Sequence, residues 1–193
     1  MSAVDYRRAL HRIPELDNQL PETVQLVQRI LAPLPCRVFS PITGSVCAWF
    51  DAGKSDAVAF RAELDALPVT EATDLPYASV HPGRMHACGH DGHAAMQLAA
   101  AKLLAAERTS LRGEVRFLFQ HAEELPPGGA VEMLKAGVMK GVDELYGMHL
   151  SSNFPTGTFG VRPGALTSAT DRFDIRVIGK GGHSAFPETC VDP

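Results

Sequence analysis

Apolar residues recur at helical spacing over Val4 to Arg12 and Glu22 to Leu31, and Pro14, Pro33 and Pro35 punctuate the text after each, which predicts two opening helices. Short apolar runs follow at Arg37 to Phe39, Val46 to Phe50 and Val58 to Leu64, separated by Gly44 and by Asp51-Ala52-Gly53, and read as strands. A polar, proline-containing loop then runs to Gly83. From His90 to Glu107 the chain is rich in Ala and Leu, with no glycine beyond Gly92 and no proline, which predicts one long helix. A strand over Val115 to Phe119, a Pro-Gly loop, a helix near Ala130 to Ala136 and a strand near Leu145 to Leu150 complete the series. Strands alternating with helices predict an α/β fold with a mixed, largely parallel central sheet flanked by helices.

Beyond Pro155 the pattern changes to Gly- and Thr-rich text, and Phe173 to Ile178 alternates apolar and polar residues as a half-exposed strand does. Residues 1–166 are therefore read as a catalytic, metal-binding domain, and residues 167–193 as the beginning of a small α+β satellite domain. One strand and one loop cannot bury an apolar face by themselves, so most of that second domain is expected to lie outside these 193 residues.

A chain of 193 residues buries enough surface to hold a core without disulfides, and its 45% apolar and 21% charged residues exclude disorder as the default. The net charge of −4, with Lys and Arg scattered, leaves no footprint for nucleic acid. MSAVDYRRALHRIPELD has no apolar stretch behind its positive charges, and the richest apolar run, Ala94 to Ala106, is broken by Gln97 and Lys102. The expectation is a cytoplasmic protein without a membrane partner. Cys36, Cys47, Cys88 and Cys190 are irregularly spaced, unlike a disulfide framework, and three of them read as reduced core or loop thiols.

The fourth, Cys88, lies in HACGHDGH, residues 86–93, which holds three of the eight histidines. Cys-x-His spacing lets Cys88 and His90 converge on one ion, and a helix starting near His90 is expected to lower the Cys88 pKa. Two other readings stand beside this one: a buried cysteine among solvated histidines, and a cysteine nucleophile with a histidine base. The ends of the neighbouring strands favour the metal. Val58 to Leu64 runs into Asp65, Val115 to Phe119 into Glu123-Glu124, and the last strand carries His149, so each delivers a carboxylate or imidazole to one edge of the sheet. A thiol site gains nothing from adjacent glutamates. A metal hydrolase uses both, one to hold the ion and one to accept a proton from water. Taken singly, each residue is more often a solvated or core side chain, and the conjunction carries the inference.

The text resembles the dinuclear metallo-amidohydrolases of the aminoacylase and carboxypeptidase G group, in the branch containing hippurate hydrolases and auxin-conjugate hydrolases. The matching blocks are HRIPEL at His11, RAELDALPVTE at Arg61, GRMHACGHDGHAAM at Gly83, FLFQHAEE with PGGA at Phe117, GMHL at Gly147 and GKGGHSAFP at Gly179. The resemblance implies cleavage of the amide bond of N-acyl amino acids with two divalent metal ions (zinc, manganese, cobalt or nickel). It assigns Cys88, His90, Glu124 and His149 as ligands and Glu123 as the general base. Asp65 and Asp91 are carboxylates supporting the ligands, and His183 is a satellite-domain histidine that reaches into the partner's site of a homodimer. Two residues depart from the family's usual text, His121 where Pro is usual and Glu63 where Asp is usual, and His121 is expected to be an exposed loop residue. Family members are about twice this length and carry a further metal-ligating histidine in the remainder. The chain is thus expected to be the N-terminal half of such an enzyme, with a metal-binding fragment that does not turn over as the alternative.

Overall fold

The computed structural model describes residues 1–53, 56–169, 171 and 173–193, which divide into two compact units, Met1–Ser151 and Ser152–Pro193. The first unit opens with helices α1 (Ala3–His11) and α2 (Pro21–Leu31). Ser2 caps α1 reciprocally: the Asp5 N–H donates to Ser2 Oγ at 3.3 Å and the Ser2 N–H donates to Asp5 Oδ2 at 2.7 Å. Strands β1 (Arg37–Phe39), β2 (Val46–Phe50) and β3 (Ala57–Glu63) follow, then helix α3 (His90–Ala106), strand β4 (Glu114–Gln120), helix α4 (Gly129–Lys135) and strand β5 (Glu144–Gly147).

The five strands form one mixed sheet in the order β1-β2-β4-β3-β5, with β1 and β2 joined antiparallel at one side and β4, β3 and β5 mutually parallel. Period-two alternation sorts the side chains of this sheet between two cores. Val46, Ala48 and Phe50 of β2 and Val115, Phe117 and Phe119 of β4 pack with α1, α2 and α3 on one face. Cys47, Ala59 and Leu118 face the other way, against Met133 of α4 and Val138. Because β3, β4 and β5 run parallel, their carboxyl ends lie at one edge. The N-terminus of α3 reaches the same edge, where His90 Nδ1 donates to the Asp65 carbonyl at 2.8 Å.

Strand β5 stops at Gly147, so His149 lies two residues past the ladder rather than within it. In the second unit the alternation at Phe173 to Ile178 does not produce a strand. Lys180 and Val191 form an isolated bridge, and Phe173, Ile175 and Val177 are exposed. A strand is defined by a ladder, and that run forms none among the described residues. Among the described residues, no helix is long and apolar enough to cross a membrane.

Candidate metal centre

The edge where the three parallel strands end gathers the chemistry-bearing residues of the first unit. Cys88 Sγ lies 3.4 Å from His149 Nε2, and ligand atoms of Cys88, His90 and His149 fall within 4.8 Å of one another. His90, Glu123 and Glu124 make a second such set, and Glu63, His90 and His93 a third. His90 is common to all three. It is buried at the first turn of α3, and Gly89 before it holds φ at +93°, a conformation that glycine adopts without strain.

Bond by bond, the site is short of protons. His90 donates from Nδ1 to the Asp65 carbonyl, which leaves Nε2 a lone pair when the ring is neutral. That atom faces Glu123 Oε2 and Glu124 Oε1, each at 3.7 Å, and Glu124 Oε1 is buried without a hydrogen-bond partner. Three acceptor atoms placed this close to one another favour a positive charge between them, supplied by a proton on His90 Nε2 or by a cation. Burial alone would lower the His90 pKa, but Asp65 and Glu63 outweigh it and raise the value, so the site draws positive charge. Carboxylate, imidazole and thiol are the donor types that bind first-row divalent ions, and the residues present fit such a group.

Asp65 supports both halves of this arrangement. Its backbone carbonyl accepts from His90, its Oδ2 accepts the Glu124 N–H at 3.0 Å, and its Oδ1 lies 3.4 Å from His90 Nδ1. Asp91 faces away from the cluster, accepting from His11 Nδ1 at 2.7 Å and pairing with Arg7 at 2.8 Å. His11 also meets Glu71 at 3.1 Å. His183 belongs to the second unit, where it is exposed and its Nδ1 accepts the Ala185 N–H at 3.1 Å.

Two expectations are corrected here. The Cys88 pKa is raised to about 12, not lowered: burial, a hydrogen bond with Glu124 and the charges of Glu124, Glu123 and Glu63 outweigh the helix terminus. His121 is buried rather than exposed, with Nε2 3.0 Å from Glu132 Oε2. It packs beneath Gly129, where a Cβ would fall 2.2 Å from the His121 carbonyl oxygen.

Sequence reasoning also leaves Glu63 and His93 without a role. His93 Nδ1 lies 2.7 Å from Glu63 Oε2, and His93 Nε2 accepts the Leu150 N–H at 2.9 Å. Both have a positional signal: Glu63 ends β3 two residues before Asp65, and His93 lies one helical turn beyond His90.

The chain belongs to peptidase family M20/M25/M40, whose model matches residues 59–192. It is 49% identical over 191 residues to an N-acyl-L-amino acid amidohydrolase of Geobacillus stearothermophilus, covering 98% of this chain and 52% of that protein. It is 42% identical to an N-acetylcysteine deacetylase of Bacillus subtilis, over 98% of this chain and 50% of the relative. The YXEP protein of Bacillus subtilis, a dinuclear metal-binding peptidase of the M20 family, superposes with a TM-score of 0.79 at 41% identity, over 83% of this chain and 45% of that one. The chain thus spans about half the length of the curated relatives it matches.

Proposed function

We propose that this protein hydrolyses the amide bond of N-acyl amino acids (hippurate-like, acetylated or indoleacetyl substrates) with two divalent metal ions, and that residues 1–166 form its catalytic domain. The observation that carries the reading is the meeting of His90 Nε2, Glu123 Oε2 and Glu124 Oε1 at 3.7 Å beside the Cys88 and His149 pair. Cys88, His90, Glu124 and His149 would hold the ions. The chemistry supplied by bound ions is Lewis acidity toward the scissile carbonyl and a lowered pKa for the attacking water. Glu123, the more exposed of the two glutamates, takes the proton from that water and passes it to the departing amine. Asp65 fixes the backbone that carries the glutamate pair by accepting the Glu124 N–H, and Glu124 is the more buried of the two side chains. His183 would steady the developing oxyanion in the partner's site of a cytoplasmic homodimer. The names of the amidohydrolase and deacetylase relatives support the substrate class.

The test is hydrolysis of hippurate and of an N-acetyl amino acid by the purified protein, before and after chelation and after return of zinc, manganese, cobalt or nickel. Loss on chelation and recovery with an ion support the reading. Hydrolysis that ignores the chelator but ends on alkylation of Cys88 would favour a thiol mechanism, and metal binding with no turnover would favour a metal-binding fragment.

A further inference from the structure

We propose that Glu63 and His93 form a positioning relay that acts through the Leu150 backbone to aim His149 at Cys88. The relay rests on the reading of His149 as a metal ligand. It begins at the last residue of β3, where the buried Glu63 carboxylate accepts from His93 Nδ1 at 2.7 Å. Glu63 is itself anchored, since it pairs with Arg61, whose Nε donates to Gln120 Oε1 at 2.8 Å on the neighbouring strand β4. The carboxylate therefore has a fixed place on two strands before it touches the histidine.

The proton on His93 can be located from its partners. The Leu150 N–H donates to Nε2 at 2.9 Å, which requires a lone pair there, so the ring proton sits on Nδ1 and points to Glu63. Both ring nitrogens are thereby committed. His93 is consequently a brace rather than a ligand, although Glu63, His90 and His93 lie close enough together to hold an ion.

What the brace holds is the stretch after β5. The ladder ends at Gly147, and the Leu150 backbone is gripped on both sides of its Cα: its N–H by His93 and its carbonyl by His149 Nδ1, at 2.7 Å. With Nδ1 donating, the neutral His149 ring presents a lone pair at Nε2, and that atom faces Cys88 Sγ at 3.4 Å. The His93 and His149 rings meet edge to face with centroids 4.6 Å apart. The Leu150 side chain closes over α3 at Gly92, where a Cβ would fall 2.4 Å from Leu150 Cδ1. A carboxylate commonly orients a metal-binding imidazole by direct hydrogen bonding. Here the same orientation passes through one further histidine and the backbone of one residue, Leu150.

Two substitutions separate the bonds. The amide of His93→Asn can occupy the place of Nδ1 and bond Glu63 but falls short of Leu150, whereas the carbonyl of His93→Gln can reach the Leu150 N–H. Amide hydrogen exchange at Leu150 in the metal-free protein reads the relay without activity or metal, and we expect exchange at least about tenfold faster in His93→Asn than in wild type or His93→Gln. Cobalt affinity, measured by chelator competition, should fall about 10- to 100-fold in His93→Asn and stay within about threefold of wild type in His93→Gln. Equal Leu150 exchange in wild type and His93→Asn overturns the relay, as does equal cobalt affinity in a wild-type protein that binds the ion. A wild-type protein that binds no cobalt contradicts the metal centre instead, and exchange at Leu150 then decides the relay alone. If His93→Asn does not fold, nitrogen chemical shifts of the wild-type His93 ring decide: a proton on Nδ1 supports the relay and a proton on Nε2 overturns it.

Discussion

Cys88 Sγ and His149 Nε2 lie 3.4 Å apart across a sequence separation of 61 residues. Because His149 spends its Nδ1 proton on the Leu150 carbonyl, the ring when neutral turns a lone pair to the thiol. Glu63, Glu123 and Glu124 surround the same thiol with negative charge and hold its pKa up at about 12. In the metal-free protein, then, Cys88 is a protonated thiol at neutral pH, and a bound cation is what makes a thiolate there possible.

Alkylation follows from that state. In folded, metal-free protein Cys88 should label only slowly with iodoacetamide at neutral pH, with a rate that rises about tenfold per pH unit up to the raised pKa. Peptide mapping separates Cys88 from Cys47, whose thiol is buried and also raised to about 12. Fast labelling of Cys88 that levels off near neutral pH would mark an activated nucleophile.

The two adjacent glutamates should fail differently. Glu123→Gln keeps the shape of the side chain but cannot accept a proton, so kcat should fall by about 10²-fold or more while metal content stays near normal. Glu124→Gln should instead lower metal occupancy, because Glu124 Oε1 is the buried carboxylate oxygen with no other partner. Metal analysis beside kinetics checks both, and the opposite pattern exchanges their roles.

His11 and Asp91 make a buried pair at 2.7 Å whose pH dependence has a definite sign. The Asp91 hydrogen bond, with help from Glu71 and against burial, raises the His11 pKa above its ordinary 6.5. The stability from His11 is thus complete below that ordinary value and is lost as pH rises through the raised one. Burial works against the Asp91 carboxylate, but His11, His86 and Arg7 prevail and lower its pKa, so its contribution is lost as pH falls through the lowered value. His11→Gln should cost about 3 kcal/mol near pH 6 and flatten the decline of Tm above that pH, as thermal unfolding across pH would show.

Glycine at 129 is required by backbone, glycine at 92 only by a side chain. A Cβ at Gly129 meets the His121 carbonyl oxygen at 2.2 Å, in the turn that carries Glu123 and Glu124, whereas a Cβ at Gly92 meets the movable end of Leu150. Gly129→Ala should therefore destabilise by about 3 kcal/mol, at the top of the overpacking range, and Gly92→Ala by about 1 kcal/mol, as read by urea unfolding.

The sheet and the cluster were legible for different reasons. Strands β1 to β4 and helix α3 announce themselves because an apolar period and its breaks are local, and Cys88, His90, Glu124 and His149 stand where strand ends and a helix start must converge. Charge is not local. Glu63, Glu123 and Glu124 arrive from two strand ends, and only their meeting explains why the Cys88 thiol is raised when its place near a helix terminus argues the reverse. His121 reads as a loop residue because it follows a strand, yet the Gly128-Gly129 turn folds over it and buries it. The alternation at 173–178 fails for a related reason, since a strand needs a partner that a local pattern cannot supply.

Cobalt binding observed through its thiolate absorption tests the metal centre most directly, because a near-ultraviolet charge-transfer band reports sulfur ligation of the ion itself. Titrating cobalt into the metal-free protein should produce that band in wild type, and Cys88→Ser should abolish it while His149→Ala weakens binding. No cobalt binding by the wild-type protein, or a band that survives in Cys88→Ser, would contradict the assignment of Cys88, His90, Glu124 and His149 as the metal centre.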